Sequence, residues 1–182
     1  LIMDNKPRVA INGFGRIGRI FFRQAFGHPE IDIVAINDLG SPENLAYLLK
    51  YDTVYGRYGK AVEKTDNKLV VEGTEVVLLQ EKDPAKLPWK DLKIDIVVES
   101  TGVFDSRDLA VLHLDAGAKR VVISAPAKDE ITPTSTPNLG HENLKLNQIT
   151  SNASCTTNAV NPVAAIMMAN PGVKKAVLNT MH

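Results

Sequence analysis

The 182-residue sequence holds a single cysteine, Cys155. One thiol cannot close an internal disulfide, so no cross-link framework supports the fold and a reducing compartment is expected. A charge surplus is missing too, because 21 Lys and Arg balance 21 Asp and Glu. Proteins held to nucleic acid by phosphate contacts carry a basic surplus, so no nucleic-acid partner is expected. No apolar run approaches the roughly 20 residues that span a bilayer, and no membrane association is expected. The opening Leu1-Ile2-Met3-Asp4-Asn5-Lys6 lacks the layout of a secretory signal, and Met3 reads as a natural start. Internal repeats and low-complexity stretches are absent as well. What is present is a chain 44% apolar and 23% charged, enough to bury a core. The length fits one domain and the start of a second, in a cytoplasmic protein.

The order of patterns along the chain predicts an α/β fold. Residues 8–12 form a short apolar run without polar alternation, as suits a parallel strand covered on both faces. A glycine-rich turn follows, then Ile17, Ile20, Phe21 and Phe22 at helical spacing, stopped by Gly27-His28-Pro29. Residues 31–37 form a second strand, completing a βαβ unit. Ser41 and Pro42 open a helix that reaches about Tyr51. Residues 53–91 read as loops and short strands, including 69–72 and 75–79. A strand at 94–99, a helix capped by Asp105-Ser106 and ended by Gly117, and a strand at 120–124 resume the alternation. Right-handed crossovers then give a Rossmann-like, doubly wound, mostly parallel sheet. Residues 127–147 are polar, contain Pro133 and Pro137, and read as mostly loop. A helix begins near Cys155 and carries Pro162, which is expected to kink it. Residues 173–181 read as the first strand of a further unit. The expected division is a nucleotide-binding domain over 1–154 and the start of an α+β catalytic domain over 155–182.

Gly13-Phe14-Gly15-Arg16-Ile17-Gly18 matches G-x-G-x-x-G between a strand and a helix, the context that gives this motif meaning. The first glycine allows the tight turn, the second lets backbone approach a pyrophosphate, and the third lets helix and strand pack closely. The helix N-terminus adds free N–H groups and a partial positive charge. Asp38 follows the second strand where an acid accepts hydrogen bonds from a ribose. A carboxylate there repels a 2′-phosphate, and no Lys or Arg follows before Lys50, so NAD is favoured over NADP.

Cys155 lies in Ser151-Asn152-Ala153-Ser154-Cys155-Thr156-Thr157-Asn158. Ser154 is a natural N-cap, which puts the thiol in the first helical turn, where N–H groups and the helix dipole favour a thiolate and an oxyanion. The hydroxyls of Ser154 and Thr156 flank the sulfur and suit an anionic substrate group. Alone, such a cysteine is more often inert packing. Beside a nicotinamide site it suggests aldehyde oxidation through a thioester. A base is then needed. His28 lies in a helix-ending turn, His113 within a helix and His141 in the polar loop, whereas His182 ends the strand after the cysteine helix. Spacing alone does not choose among them. No metal site is expected.

Taken together, INGFGRIGR at 11–19, NDL at 37–39, YDTVYGRY at 51–58, LPW at 87–89 and VESTGVF at 98–104 resemble phosphorylating glyceraldehyde-3-phosphate dehydrogenases. HLDAGAKRVVISAPAKDE at 113–130, SNASCTTN at 151–158 and His182 extend the resemblance over nearly the whole chain. The resemblance implies that Cys155 is the nucleophile of a hemithioacetal and thioester, and that His182 activates it. It implies that Asn12, Gly13, Arg16 and Ile17 form the pyrophosphate loop and Asp38 the ribose contact. Ser100, Thr101, Gly102 and Ser124 match positions along the nicotinamide half of the NAD site, and Ser154 and Thr156 match phosphate- or substrate-binding positions. The implied reaction is oxidation of glyceraldehyde 3-phosphate, with NAD and inorganic phosphate, to 1,3-bisphosphoglycerate in glycolysis, in a homotetramer.

The sequence departs from the family pattern in three places. Lys82 stands where many members have arginine; it meets a phosphate as a point charge without the planar fork. Residues 134–141 replace an apolar strand with a polar, proline-containing stretch. The sequence ends at His182, where family members have about half their length remaining. Little turnover is therefore expected from this polypeptide alone, which leaves an NAD-binding module as the alternative reading. A dehydrogenase for another phosphorylated aldehyde, such as erythrose 4-phosphate, is the other alternative. Exposure of Val163, Ile166 and Met167, and with it self-association, is also expected.

Overall fold

The computed structural model describes residues 6–137 and 139–181. The opening unit forms as β1 (Arg8–Asn12), α1 (Arg16–Ala25) and β2 (Asp32–Asn37). The lack of polar alternation in β1 has a direct cause, because both of its faces are covered. Ile11 packs with Phe22, Ile36, Leu49 and Leu69, while Ala10 packs with Ala35, Trp89, Ile94 and Val97. Helix α2 (Pro42–Lys50) starts as expected, the Ser41 hydroxyl accepting the Asn44 N–H at 3.3 Å.

Strands β3 (Val62–Thr65), β4 (Lys68–Val71) and β5 (Thr74–Leu79) then form an antiparallel meander. The tight turn between β4 and β5 uses Glu72 and Gly73 at φ 48° and 78°, the left-handed pair that a two-residue hairpin of matching twist requires. After a 3-10 turn at Pro84–Lys86 come β6 (Ile96–Glu99), α3 (Arg107–Asp115), β7 (Arg120–Ile123), α4 (His141–Leu146), β8 (Ile149–Ser151) and α5 (Cys155–Ala169). Among the described residues, eight strands form one sheet in the order β3-β4-β5-β2-β1-β6-β7-β8. All pairings from β5 to β8 are parallel. The chain winds outward from β1 through β2 and then from β1 through β6, β7 and β8. This is the doubly wound α/β sheet expected from the sequence, and its direction reverses between β1 and β6. Crevices at such reversals, at the carboxyl ends of the strands, are where these sheets bind ligands.

Four local expectations change, at 127–147, 173–181, 94–99 and Ser106. Residues 127–147 are not merely loop. Gly140, at φ 76°, opens α4, and the Arg120 guanidinium donates to the carbonyl oxygens of Leu144 and Asn147 at its end. Strand β8 had no sequence signal, since three residues are too few to show a period. Residues 173–181 form no strand and pair with none of the eight strands of the sheet among the described residues. The strand expected at 94–99 begins at Ile96, because Ile94 sits in a turn, its N–H given to the Trp89 carbonyl. Ser106 occupies the N-cap position of α3 without capping it. Asp129 takes that role, its carboxylate accepting the Arg107 N–H at 2.6 Å. Pro162 lies inside α5 without ending it. No helix among the described residues is long and apolar enough to cross a membrane.

Candidate functional site

The glycine turn joins β1 to α1 at the sheet's point of reversal. The Gly13 N–H reaches the Asn37 carbonyl at 2.8 Å, locking the turn to the end of β2. Gly13 has φ 91°, and a Cβ there would lie 2.6 Å from the Thr101 nitrogen, so the end of β6 closes onto it. A Cβ on Gly18 would lie 2.1 Å from the Gly13 oxygen, which shows how closely helix and turn pack. A Cβ on Gly15, in contrast, would meet nothing within 4 Å. Gly15 is the N-cap of α1, no side chain caps the helix, and no acid occupies its first turn. Free N–H groups therefore face open space, which is the arrangement that receives a phosphate.

Beside this turn lies a cleft of about 360 Å³, lined by the ends of β1, β2 and β6 and by the loop after β5. Of the residues expected to hold the cofactor, Asn12, Gly13, Gly15, Asp38, Lys82, Ser100 and Thr101 line it. Asp38 is braced by main chain, Oδ2 accepting the Phe14 N–H at 2.6 Å and Oδ1 the Gly40 N–H at 2.8 Å. The Ser100 hydroxyl donates to the carbonyl oxygens of Asn12 and Gly13, tying β6 to the turn. Phe14 contributes only main chain. Its ring is fully buried edge-on against Phe22, 5.6 Å between centroids. Arg16 and Gly102 are exposed just outside the cleft lining. Ile17 and Ser124 line a separate apolar groove with Val98, Val122 and Asn152.

The cysteine stands at the other end of the same sheet edge. Cys155 is the first residue of α5 and is exposed. The Ser154 hydroxyl accepts the Thr157 N–H at 3.0 Å, so the expected cap forms. The elbow before it is fixed by Ser151, whose hydroxyl donates to the Ala125 carbonyl and accepts the Ala153 N–H. Thr156 is half-buried beside the thiol. Two strand spacings separate β6 from β8, about 10 Å along the carboxyl edge. The expected base, His182, lies outside the described residues. Among the other histidines, His28 and His141 are exposed, while His113 is buried beneath the cleft. No cluster of three or more metal-ligating side chains occurs among the described residues.

Sequence reasoning missed part of the lining: Asn37, Leu39, Glu81, Val103 and Phe104. One signal was available. The apolar strands β1, β2 and β6 each end in a polar residue, Asn12, Asn37 and Glu99, and all three are buried.

Fold and cleft together define a dinucleotide-binding domain of the doubly wound α/β class. Residues 7–107 match the family model described as glyceraldehyde 3-phosphate dehydrogenase, NAD binding domain. The chain belongs to the glyceraldehyde-3-phosphate dehydrogenase family, and NAD is the cofactor of its nucleotide domain. It is 49% identical over 176 residues to the glyceraldehyde-3-phosphate dehydrogenase of Mycoplasma pneumoniae, covering 96% of this chain and 52% of that one. It is 49% identical to the Thermotoga maritima enzyme, with 96% and 53% covered. To the cytosolic enzyme of Trypanosoma brucei it is 47% identical, with 96% and 53% covered. The chain spans about half the length of the curated relatives it matches.

Proposed function

We propose that this chain supplies the NAD site and the cysteine nucleophile of a phosphorylating glyceraldehyde-3-phosphate dehydrogenase. The observation that supports the reading is the pair of helix N-termini on one sheet edge, α1 open beneath the glycine turn and α5 bearing Cys155. The residues fit NAD. The uncapped α1 terminus and the empty space at Gly15 suit the pyrophosphate, with Arg16 and Ile17 continuing that turn. Asp38 suits the adenosine ribose. Leu39, Val103 and Phe104 offer apolar surface for the adenine, and Lys82 a charge for a phosphate. Ser100, Thr101, Gly102 and Ser124 lead from there along the carboxyl edge toward Cys155. Bound there, NAD supplies the hydride acceptor.

In this reading Cys155 attacks the aldehyde carbon and the α5 N–H groups stabilise the resulting oxyanion. Ser154 and Thr156 hold an anionic group of the substrate, and His182 takes the hydroxyl proton. Inorganic phosphate then releases the acyl group as an acyl phosphate. We extend the proposal to a cytosolic homotetramer whose nucleotide domain covers 1–154, with the catalytic domain starting at 155. Binding of NAD without turnover is the second reading. It is favoured by the exposure of Cys155, which has no hydrogen-bonded base among the described residues.

Calorimetric titration with NAD, and NADH formation from glyceraldehyde 3-phosphate and phosphate, test the reading. Cys155→Ser is expected to abolish NADH formation while leaving the NAD Kd within about threefold, because the thiol takes no part in the cleft. Turnover persisting in Cys155→Ser would sink the nucleophile assignment. NAD binding without any turnover in the unsubstituted protein would favour the second reading.

A further inference from the structure

Glu99 closes β6 and is 2% exposed. A carboxylate this deep persists only if its oxygens are fully partnered. Oε1 accepts the Thr101 N–H at 2.8 Å and the Thr101 hydroxyl. Oε2 faces Asn12 Nδ2 at 2.5 Å and Nε2 of the fully buried His113 at 3.0 Å.

The direction of this network is fixed at both far ends. An indole nitrogen only donates. Trp89 Nε1 points at His113 Nδ1 at 3.0 Å, so Nδ1 is the acceptor and Nε2 carries the hydrogen toward Glu99. At the other end the Glu81 N–H donates to Asn37 Oδ1, and Asn37 Nδ2 donates to both the Glu81 carbonyl and Asn12 Oδ1. Asn12 Nδ2 is then left to donate to Glu99. Donors from the tips of β1 and β6 and from α3 thus converge on one carboxylate beneath the cleft, and Asn37 and Glu81, at the tip of β2 and after β5, hold Asn12 in place. Asn12, Asn37, Glu81 and Thr101, all members of this network, line that cleft. Phe104 lines it as well, its ring edge-on to His113 at 6.2 Å between centroids.

We infer that Glu99 and His113 are positioning residues for the dinucleotide, and that Trp89 registers the occupancy of the cleft through them. The Glu99 carboxylate draws Asn12 and Thr101 together, which sets the gap between the glycine turn and the end of β6. His113 holds that carboxylate from below and passes any shift of it to the indole. This inference rests on the cleft being the NAD site.

The test combines NAD titration with the indole N–H resonance of Trp89, the sole tryptophan. The variants are Glu99→Gln, His113→Leu and His113→Gln in the full chain. Glutamine at 113 offers one acceptor and one donor, as the neutral imidazole does. Glu99→Gln and His113→Leu are expected to weaken NAD binding about tenfold or more, and His113→Gln to stay within about threefold. Addition of NAD is expected to move the Trp89 resonance in the unsubstituted protein and in His113→Gln but not in His113→Leu. A merely structural role would leave that resonance indifferent to NAD. The inference is overturned if NAD binds the unsubstituted protein without moving the Trp89 signal, a result that requires no variant to fold. It is also overturned if folded His113→Leu binds as tightly as His113→Gln. Failure of the unsubstituted protein to bind NAD would instead overturn the reading of the cleft.

Discussion

At the scale of single residues, the motif glycines Gly15 and Gly18 are required for different reasons. Gly18 is required by packing, since any side chain there meets the Gly13 oxygen at 2.1 Å. Overpacking of this kind costs about 1–3 kcal/mol, or roughly 2–12 °C in a domain of this size. Gly18→Ala is therefore expected to lower the melting temperature in a calorimetric scan. Gly15 has open space around it, so Gly15→Ala is expected to melt within about 2 °C of the parent while binding NAD several-fold more weakly. Equal losses of stability in the two variants would contradict the distinct roles drawn from the geometry. The sequence motif assigns each glycine a role, but a pattern of residue types carries no distances, and the 2.1 Å approach at Gly18 and the open space at Gly15 belong to the structure. Phe14 makes the same point: it sits inside the motif, yet its ring belongs to the core and only its N–H serves the site.

At the scale of elements, the proposed chemistry sits at helix termini, and the caps of the helices were only partly legible in the sequence. Ser41 and Ser154 cap as their sequence neighbourhoods indicate. Ser106 does not, because Asp129, 23 positions along from it, folds back over α3. The Arg107 N–H, outweighing the desolvation cost, together with Thr132 and Ile131 holds the Asp129 carboxyl below its ordinary value of 3.8. A carboxyl depressed in the folded state adds stability above its unfolded value, and that stability is lost as pH falls through the depressed one. Urea midpoints at successive pH values should show the parent losing stability below about pH 4. Asp129→Asn should start lower at pH 6 and lose less across that window. Parallel pH dependence in the two proteins would remove Asp129 from the α3 terminus.

At the scale of the whole molecule, the sheet is well covered around β1 and poorly covered at its β8 end. Helix α5 buries none of its residues, and Val163, Ile166 and Met167 are 59%, 69% and 43% exposed. Apolar residues grouped in this way favour association. Light scattering of the 182-residue chain at tens of micromolar is expected to give a mass above 19.8 kDa. Charged substitutions at Val163 and Ile166 are expected to reduce it. A clean monomer throughout would show that this face does not drive assembly.

Local patterning determined the alternating α/β order, the glycine turn, Asp38 and the helix that begins at Cys155, because each depends on residues adjacent in the chain. Residues 173–181 show the limit of that reading: apolar content predicted a strand, but strand formation depends on a partner edge that no local pattern reveals. Tertiary structure alone decided that β8 pairs with β7 and that Asp129 caps α3. It also decided that Asn12, Asn37, Glu81, Trp89, Glu99 and His113, spread over about a hundred positions, share one buried hydrogen-bond network. Hydrogen bonds form through space, and only the winding of the sheet brings those groups into one network around the Glu99 carboxylate.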